Sequence, residues 1–259
     1  HLILKQIVGL KIAFCTSLLF LVNPLYWAFS ETALADVPAV FFATLSVWLM
    51  YRGMTARNYY MAACFVTGLA IGIRQANITF TLLLVFAGVY AYFYLKGDAL
   101  KQIGLGIALF VTGIALWFLP AIFLGTGGLS EYIEATSQQW NNVVSVSDAF
   151  NLESPWVLNL FYRVERFFLA YHFLYSWTGS DTKSAFTIIL VAPWLFGFLA
   201  FVSTFRIKSS SHLFIMIWVI LSFYPILSIH FLPRYGLPYL PAFVIGSILG
   251  FQNIFLRER

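Results

Sequence analysis

"IGLGIALFVTGIALWFLPAIFL", residues 103–124, runs for 22 residues without a charge. A bilayer's hydrocarbon core takes about 20 apolar residues as a helix, so this run is long enough to cross one. Working outward, residues 7–23, 34–51, 59–73, 77–95, 185–205, 212–231 and 237–255 repeat the pattern with softer edges. Recurrence of such runs along the chain predicts an all-α fold. The expected architecture is a polytopic transmembrane helical bundle of about eight spans, forming a single domain over 1–259. Composition agrees: 61% of the 259 residues are hydrophobic and only 10% are charged, where a soluble domain carries about 25% charge. Mean hydropathy is +0.86.

The breaks between runs are well marked. "NPLYWAFSE" (23–31), "RGMTARN" (52–58), "LKGDALKQ" (95–102), "RIKSSSH" (206–212) and "FLPRYGLP" (231–238) separate successive spans. Residues 125–184 form one long polar connection, opening with "GTGGLSEYIEATSQQWNN". Within it, "WVLNLFYRVERFFLAYHF" (156–173) puts Val157, Leu160, Phe161, Val164, Phe167, Phe168 and Tyr171 on one helical face. Asn159, Arg163, Glu165 and Arg166 fall opposite. That pattern suits an interfacial amphipathic helix over about 156–172; a crossing helix is the alternative.

Charge decides between them. If 156–177 does not cross, Lys5, Lys11, Arg52, Arg57, Lys96, Lys101, Arg206, Lys208, Arg257 and Arg259 share one side with only Asp98 and Glu258. The other side holds Arg74, Arg163, Arg166, Lys183 and Arg234 with the remaining eight acids. The positive-inside rule makes the first side cytoplasmic. The sequence thus predicts a multi-pass protein of the cell (inner) membrane with both visible termini in the cytoplasm and 125–184 outside. The net charge of +5 belongs to loops flanking spans, and no nucleic acid partner is expected.

Cys15 and Cys64 lie in apolar runs, and the four His show no ligand spacing, so neither a disulfide nor a thiolate metal site is expected. No stretch resembles a cleavable signal peptide. The chain starts at His1 rather than Met, so its natural N-terminus is expected upstream.

This topology brings Glu31, Asp36, Arg74, Gln75, His230 and Arg234 from three connections to the non-cytoplasmic face. Charges of both signs at a membrane edge suit a substrate with an anionic headgroup and a greasy tail. Arg grips phosphate with paired N–H donors and stays charged when partly desolvated. Carboxylates can orient sugar hydroxyls, hold a divalent cation, or act as a base toward an acceptor hydroxyl. Each residue also has a structural reading. A lone Arg at a helix end snorkels toward headgroups. Asp36, ahead of Pro38, suits a helix cap followed by an early-turn Pro. Pro233, Pro238 and Pro241 stiffen the segment around Arg234. Gly127 and Gly128 turn the chain, and "GTGG" is no phosphate loop. Asn77-Ile-Thr79 matches the N-glycosylation triplet but lies too close to the membrane to be an acceptor.

"NPLYWAFSETALADVPAVFFATLSVWLMYRG" (23–53) resembles the third and fourth spans of membrane glycosyltransferases of the GT-C fold, with an Asp-x-Pro start to the second helix. The nearest likeness is to the bacterial protein O-mannosyltransferase and aminoarabinose-transferase superfamily. "GLAIGIRQANITF" (68–80) resembles its short G-x-x-x-G-x-[KR] outer turn, and "FLPRYGLPYLPAF" (231–243) its late R-Y-x-x-P-x-x-P segment. "GLAIGIRQANI" is also similar to a stretch of eukaryotic dolichyl-phosphoglucose-dependent α-1,2-glucosyltransferases.

The resemblance implies sugar transfer from a polyprenyl-phosphate-linked donor to a hydroxyl of a lipid, protein or glycan acceptor on the non-cytoplasmic face. It matches Asp36 to the family's second acidic site, Arg74 to its basic turn, and Arg234 with Tyr235 to its late basic segment. Asp36 and Glu31 are therefore the candidate catalytic carboxylates. Arg74, Gln75, His230, Arg234 and Tyr235 are the candidates for substrate binding. The family's own catalytic Asp lies in the first outer loop, which this chain lacks, so the general base is expected upstream of His1. The rival readings are a lipid-linked sugar transporter or flippase, a non-catalytic subunit, and an O-antigen-type ligase or polymerase.

Overall fold

The structure, a computed structural model, describes residues 5, 9–21, 36–95, 99–145, 196–203, 206, 209–224 and 238–255. The described residues are helical throughout, joined by turns, with no strand among them. The helices are α1 (Leu10–Leu21), α2 (Asp36–Gly53), α3 (Arg57–Ile73), α4 (Phe80–Leu95), α5 (Ala99–Pro120), α6 (Leu129–Ser145), a short helix over 196–203, α7 (Ser210–Leu221) and α8 (Leu240–Phe255). Each of the eight predicted spans overlaps one of these helices. The ninth, α6, lies where the sequence reads as the start of a polar connection. The predicted interfacial helix at 156–172 lies outside the described residues.

Among the described residues, two helical stretches are long and apolar enough to cross a membrane, Gln75–Tyr94 and Lys101–Gly125. At 1.5 Å per residue they measure about 30 and 37 Å, matching or exceeding a hydrocarbon core of about 30 Å. Val37–Gly53, Ser210–Leu221 and Leu240–Ile254 are apolar but shorter.

The chain divides into two compact units. One contains α1, the 196–203 helix, α7 and α8. Ser209 starts α7 by accepting a hydrogen bond from the His212 N–H at 3.4 Å. Its core is aromatic: Phe198 stacks on Phe243 at 5.4 Å between centroids and meets Phe223 edge-on at 4.9 Å. The 196–203 helix touches α8 where glycine faces glycine, because any Cβ on Gly250 would overlap the Gly197 carbonyl oxygen.

The other unit runs from α2 to α6. Its centre is α3, which packs against both α4 and α5. A Cβ on Gly68 of α3 would overlap the Phe110 carbonyl oxygen, and one on Gly113 of α5 would overlap that of Phe65. Gly72 sits one turn above Gly68, where a Cβ would lie 2.8 Å from the Trp117 Cβ. Small residues spaced by four allow two backbones to touch, the usual way helices associate in hydrocarbon, where no hydrophobic drive holds them together. Thr67 adds no unmet polar group to this seam, since its hydroxyl donates to the Ala63 carbonyl at 2.6 Å.

At the other end of α3, the turn from α2 is closed by Gly53, where a Cβ would lie 2.7 Å from the Tyr60 Cα. The Tyr59 ring receives the Arg52 guanidinium at 5.0 Å from its centroid and the Trp48 indole edge-on at 5.8 Å. Pro120 ends α5; it supplies no N–H to the helix ladder, and the next turn, Ala121–Gly125, is a π-helix. That turn closes with the Thr126 N–H donating to the Ala121 carbonyl at 3.1 Å. Gly127, at φ +88°, then redirects the chain into α6, a left-handed conformation that glycine adopts without strain.

Candidate functional site

The α3–α4 turn holds the two candidate residues that the structure brings together. α3 ends with the Arg74 N–H donating to the Ala70 carbonyl at 3.1 Å. Arg74 itself is extended, at φ −147° and ψ 112°, and Gln75–Thr79 follows as a 3₁₀ turn. The Arg74 carbonyl accepts from the Asn77 N–H at 2.9 Å. The Asn77 side chain then reaches back, its Nδ2 donating to the Ala70 carbonyl at 2.8 Å. The Ala70 carbonyl thus takes two donors, the helix bond from Arg74 and the Asn77 amide, and the second pins the 3₁₀ turn to the end of α3. Asn77 is fully buried, while Arg74 is half-buried and Gln75 exposed.

The fold therefore fixes an arginine at the carbonyl end of a helix, where the dipole favours a cation. Asn77 was missed as a site residue because the Asn-Ile-Thr triplet reads first as a glycosylation signal. Its burial and its bond to Ala70 explain why it is no acceptor. Asn77→Ala is expected to destabilise the purified protein by about 1–2 kcal/mol, the scale of a lost buried hydrogen bond. Thermal unfolding in detergent measures this, and an unchanged midpoint would mean that the amide does not hold the turn.

A cleft of about 850 Å³ lies between α4 and α5, with Tyr60 and Cys64 of α3 among its lining residues. Val85 and Val89 line one wall, and Ile103 and Ile107 the other. Glycines make room for it. A side chain at Gly88 would collide with the Tyr60 hydroxyl, and a Cβ on Gly106 would lie 3.2 Å from the Cys64 Sγ. Tyr60 and Cys64, one helical turn apart on α3, bring a hydroxyl and a thiol to this lining. Along α4 the lining runs from Thr81, two residues past the 3₁₀ turn, to Phe93. By rise alone that is about 18 Å.

Of the other candidates, Asp36 is the first residue of α2, with Pro38 in the first helical turn, where a missing N–H breaks no helix bond. Helix geometry there agrees with the structural reading of Asp-x-Pro as a helix start. Glu31, His230, Arg234 and Tyr235 lie outside the described residues. Among the described residues, no three His, Cys, Asp or Glu side chains gather into a group that could hold a metal ion.

Compared with protein-family models, with curated proteins and with solved structures, the chain matches none of them.

Proposed function

We propose that this chain is a polytopic membrane glycosyltransferase that moves a sugar from a polyprenyl-phosphate-linked donor to an acceptor hydroxyl on the non-cytoplasmic face. The observation that carries this reading is the Arg74 turn, pinned to the end of α3 by Asn77, on the same helical unit as the apolar α4/α5 cleft. A lipid-linked phosphate needs a cation at the membrane edge and an apolar surface for its tail, and this unit supplies a fixed arginine and a mostly apolar cleft. The membrane itself is supported by α5: only 6% of the most apolar window of Lys101–Gly125 is buried within the protein. Leu105, Ile107, Val111, Leu116 and Leu119 are all exposed. A soluble protein rarely leaves so continuous an apolar face to water.

In the proposed reaction the acceptor oxygen bonds to the anomeric carbon as that carbon's bond to the phosphate oxygen breaks. Polyprenyl phosphate departs with the electron pair, and the acceptor's proton passes to a carboxylate base. The leaving phosphate is already a stable anion, so no strong acid is needed. Arg74 neutralises its charge, with Arg234 as a second donor, and Gln75 hydrogen-bonds the sugar or phosphate. His230 and Tyr235 contribute to the same pocket, and Asp36, with Glu31, orients the acceptor or the sugar. Both visible termini are cytoplasmic in this arrangement.

The test uses the purified protein in liposomes with a panel of polyprenyl-phosphate-linked hexoses and pentoses, radiolabelled in the sugar. Release of free polyprenyl phosphate with label on a second molecule supports transfer. Movement of intact sugar-lipid between leaflets, without release, would replace the transferase with the flippase reading. If neither is seen with any donor, the proposal fails.

A further inference from the structure

Helix α6 was expected as polar loop, and its apolar residues have no described neighbour that covers them. Leu129, Ile133 and Trp140 are 59%, 59% and 52% exposed. On a helix turning 100° per residue they fall within a narrow arc, with Tyr132 and Thr136 beside them. Glu131, Glu134, Gln138, Asn141 and Asn142 occupy the opposite side. Seventeen residues of this composition cannot cross hydrocarbon, since two carboxylates and several amides would be stranded there.

We propose that α6 lies flat in the lipid headgroup interface, at the end of the helical unit that carries Arg74. The occupant of its apolar face is the bilayer, and continuity with α5 is the reason. Only Thr126–Gly128 separate α6 from the Lys101–Gly125 stretch. Exposed apolar residues stand on both sides of that short turn, Leu119, Phe123 and Leu124 before it and Leu129 and Ile133 after it. Tyr132 packs on Phe118 of α5 at 5.9 Å between centroids, which ties the first turn of α6 to the last turns of α5. Gly72 against Trp117 sets that same end of α5 beside the Arg74 turn. Depth is thereby fixed for the start of α6. Trp and Tyr on its apolar face are the residues that favour this zone.

The polar face cannot turn inward. Glu131 is exposed, and its own backbone N–H first, then the Ser130 hydroxyl, hold its carboxyl below the usual carboxylate range, so it is charged at neutral pH. α6 contains no Lys or Arg, so apolar insertion rather than attraction to anionic lipid must hold it.

This inference rests on reading α5 as a span, and the experiment separates the two. In full-length protein with Cys15 and Cys64 replaced by Ala, single cysteines at Ile133, Trp140, Glu134, Gln138 and, on α5, Leu116 receive a nitroxide label in nanodiscs. Collision with oxygen and with a water-soluble nickel chelate is read by power saturation. The proposal expects oxygen to dominate at Leu116, Ile133 and Trp140, and nickel to dominate at Glu134 and Gln138. If Leu116 sits in hydrocarbon but Ile133 and Trp140 meet nickel, α6 stands in water. If those two positions meet neither reagent, protein covers them. Either result overturns the interfacial placement while leaving the span intact, whereas nickel at Leu116 removes both.

Discussion

Gly68→Leu is expected to yield little or no folded protein. Its added side chain would have to enter the space held by the Phe110 carbonyl, and a helix backbone cannot step aside as a side-chain tip can. Overpacking a core against movable neighbours costs about 1–3 kcal/mol, and here the obstacle is the main chain of the helix that α3 packs against most closely. The loss should reach or pass the top of that range. Gly113→Leu should behave alike, because its Cβ would overlap the Phe65 carbonyl from the other side. Gly104 supplies the control. It is on the same helix, nothing lies within 4 Å of a Cβ there, and Ala is better than Gly inside a helix by about 0.5–1 kcal/mol. The recovered monodisperse fraction and its thermal midpoint decide the matter. Equal tolerance at positions 68, 113 and 104 would mean that the two helices do not meet backbone to backbone.

Arg74→Ala should lower sugar transfer about a hundredfold or more, the usual scale for removing one charge-stabilising donor, with the amount of folded protein unchanged. Arg74→Lys should recover only part of this, because an ammonium gives charge without the planar pair of donors. The structural alternative predicts otherwise. If the guanidinium only reaches toward lipid headgroups from the end of α3, Lys should replace it fully and Ala should lower abundance rather than turnover. Turnover per folded molecule, measured in liposomes across donor concentrations, distinguishes these outcomes. Wild-type turnover in Arg74→Ala would remove the phosphate contact from the proposed reaction.

Much of the helical layout was legible because apolar runs and their polar breaks are local features. "RGMTARN" marks the α2–α3 turn, and "LKGDALKQ" the passage from α4 to α5. α6 was not read, although Leu129, Ile133 and Trp140 already follow a helical repeat. Polar residues outnumber apolar ones across it, and the same loop holds a stronger pattern at 156–172. The Arg74–Gln75 turn could be located from sequence, but its rigidity could not. That depends on Asn77 folding back seven residues to Ala70, a contact no periodicity announces. The cleft was equally hidden, because Gly88 and Gly106 look like ordinary glycines until Tyr60 is seen between their helices. The expected convergence of three outer connections involves Glu31, His230, Arg234 and Tyr235, which lie outside the described residues.

The glycine seam of α3 also bears on how the protein is made. α3 is 17 residues long, opens with Arg57 and Asn58, and is not among the helices apolar enough to be retained by hydropathy alone. Its place depends on α5, which begins only at Ala99. In the proposed membrane reading, a ribosome delivering this chain to the insertion machinery releases the weaker helix well before its partner exists. That reading requires α3 to wait, shielded in the translocon or held by an insertase, until Gly113 emerges to meet Gly68 and the pair can leave for the lipid together.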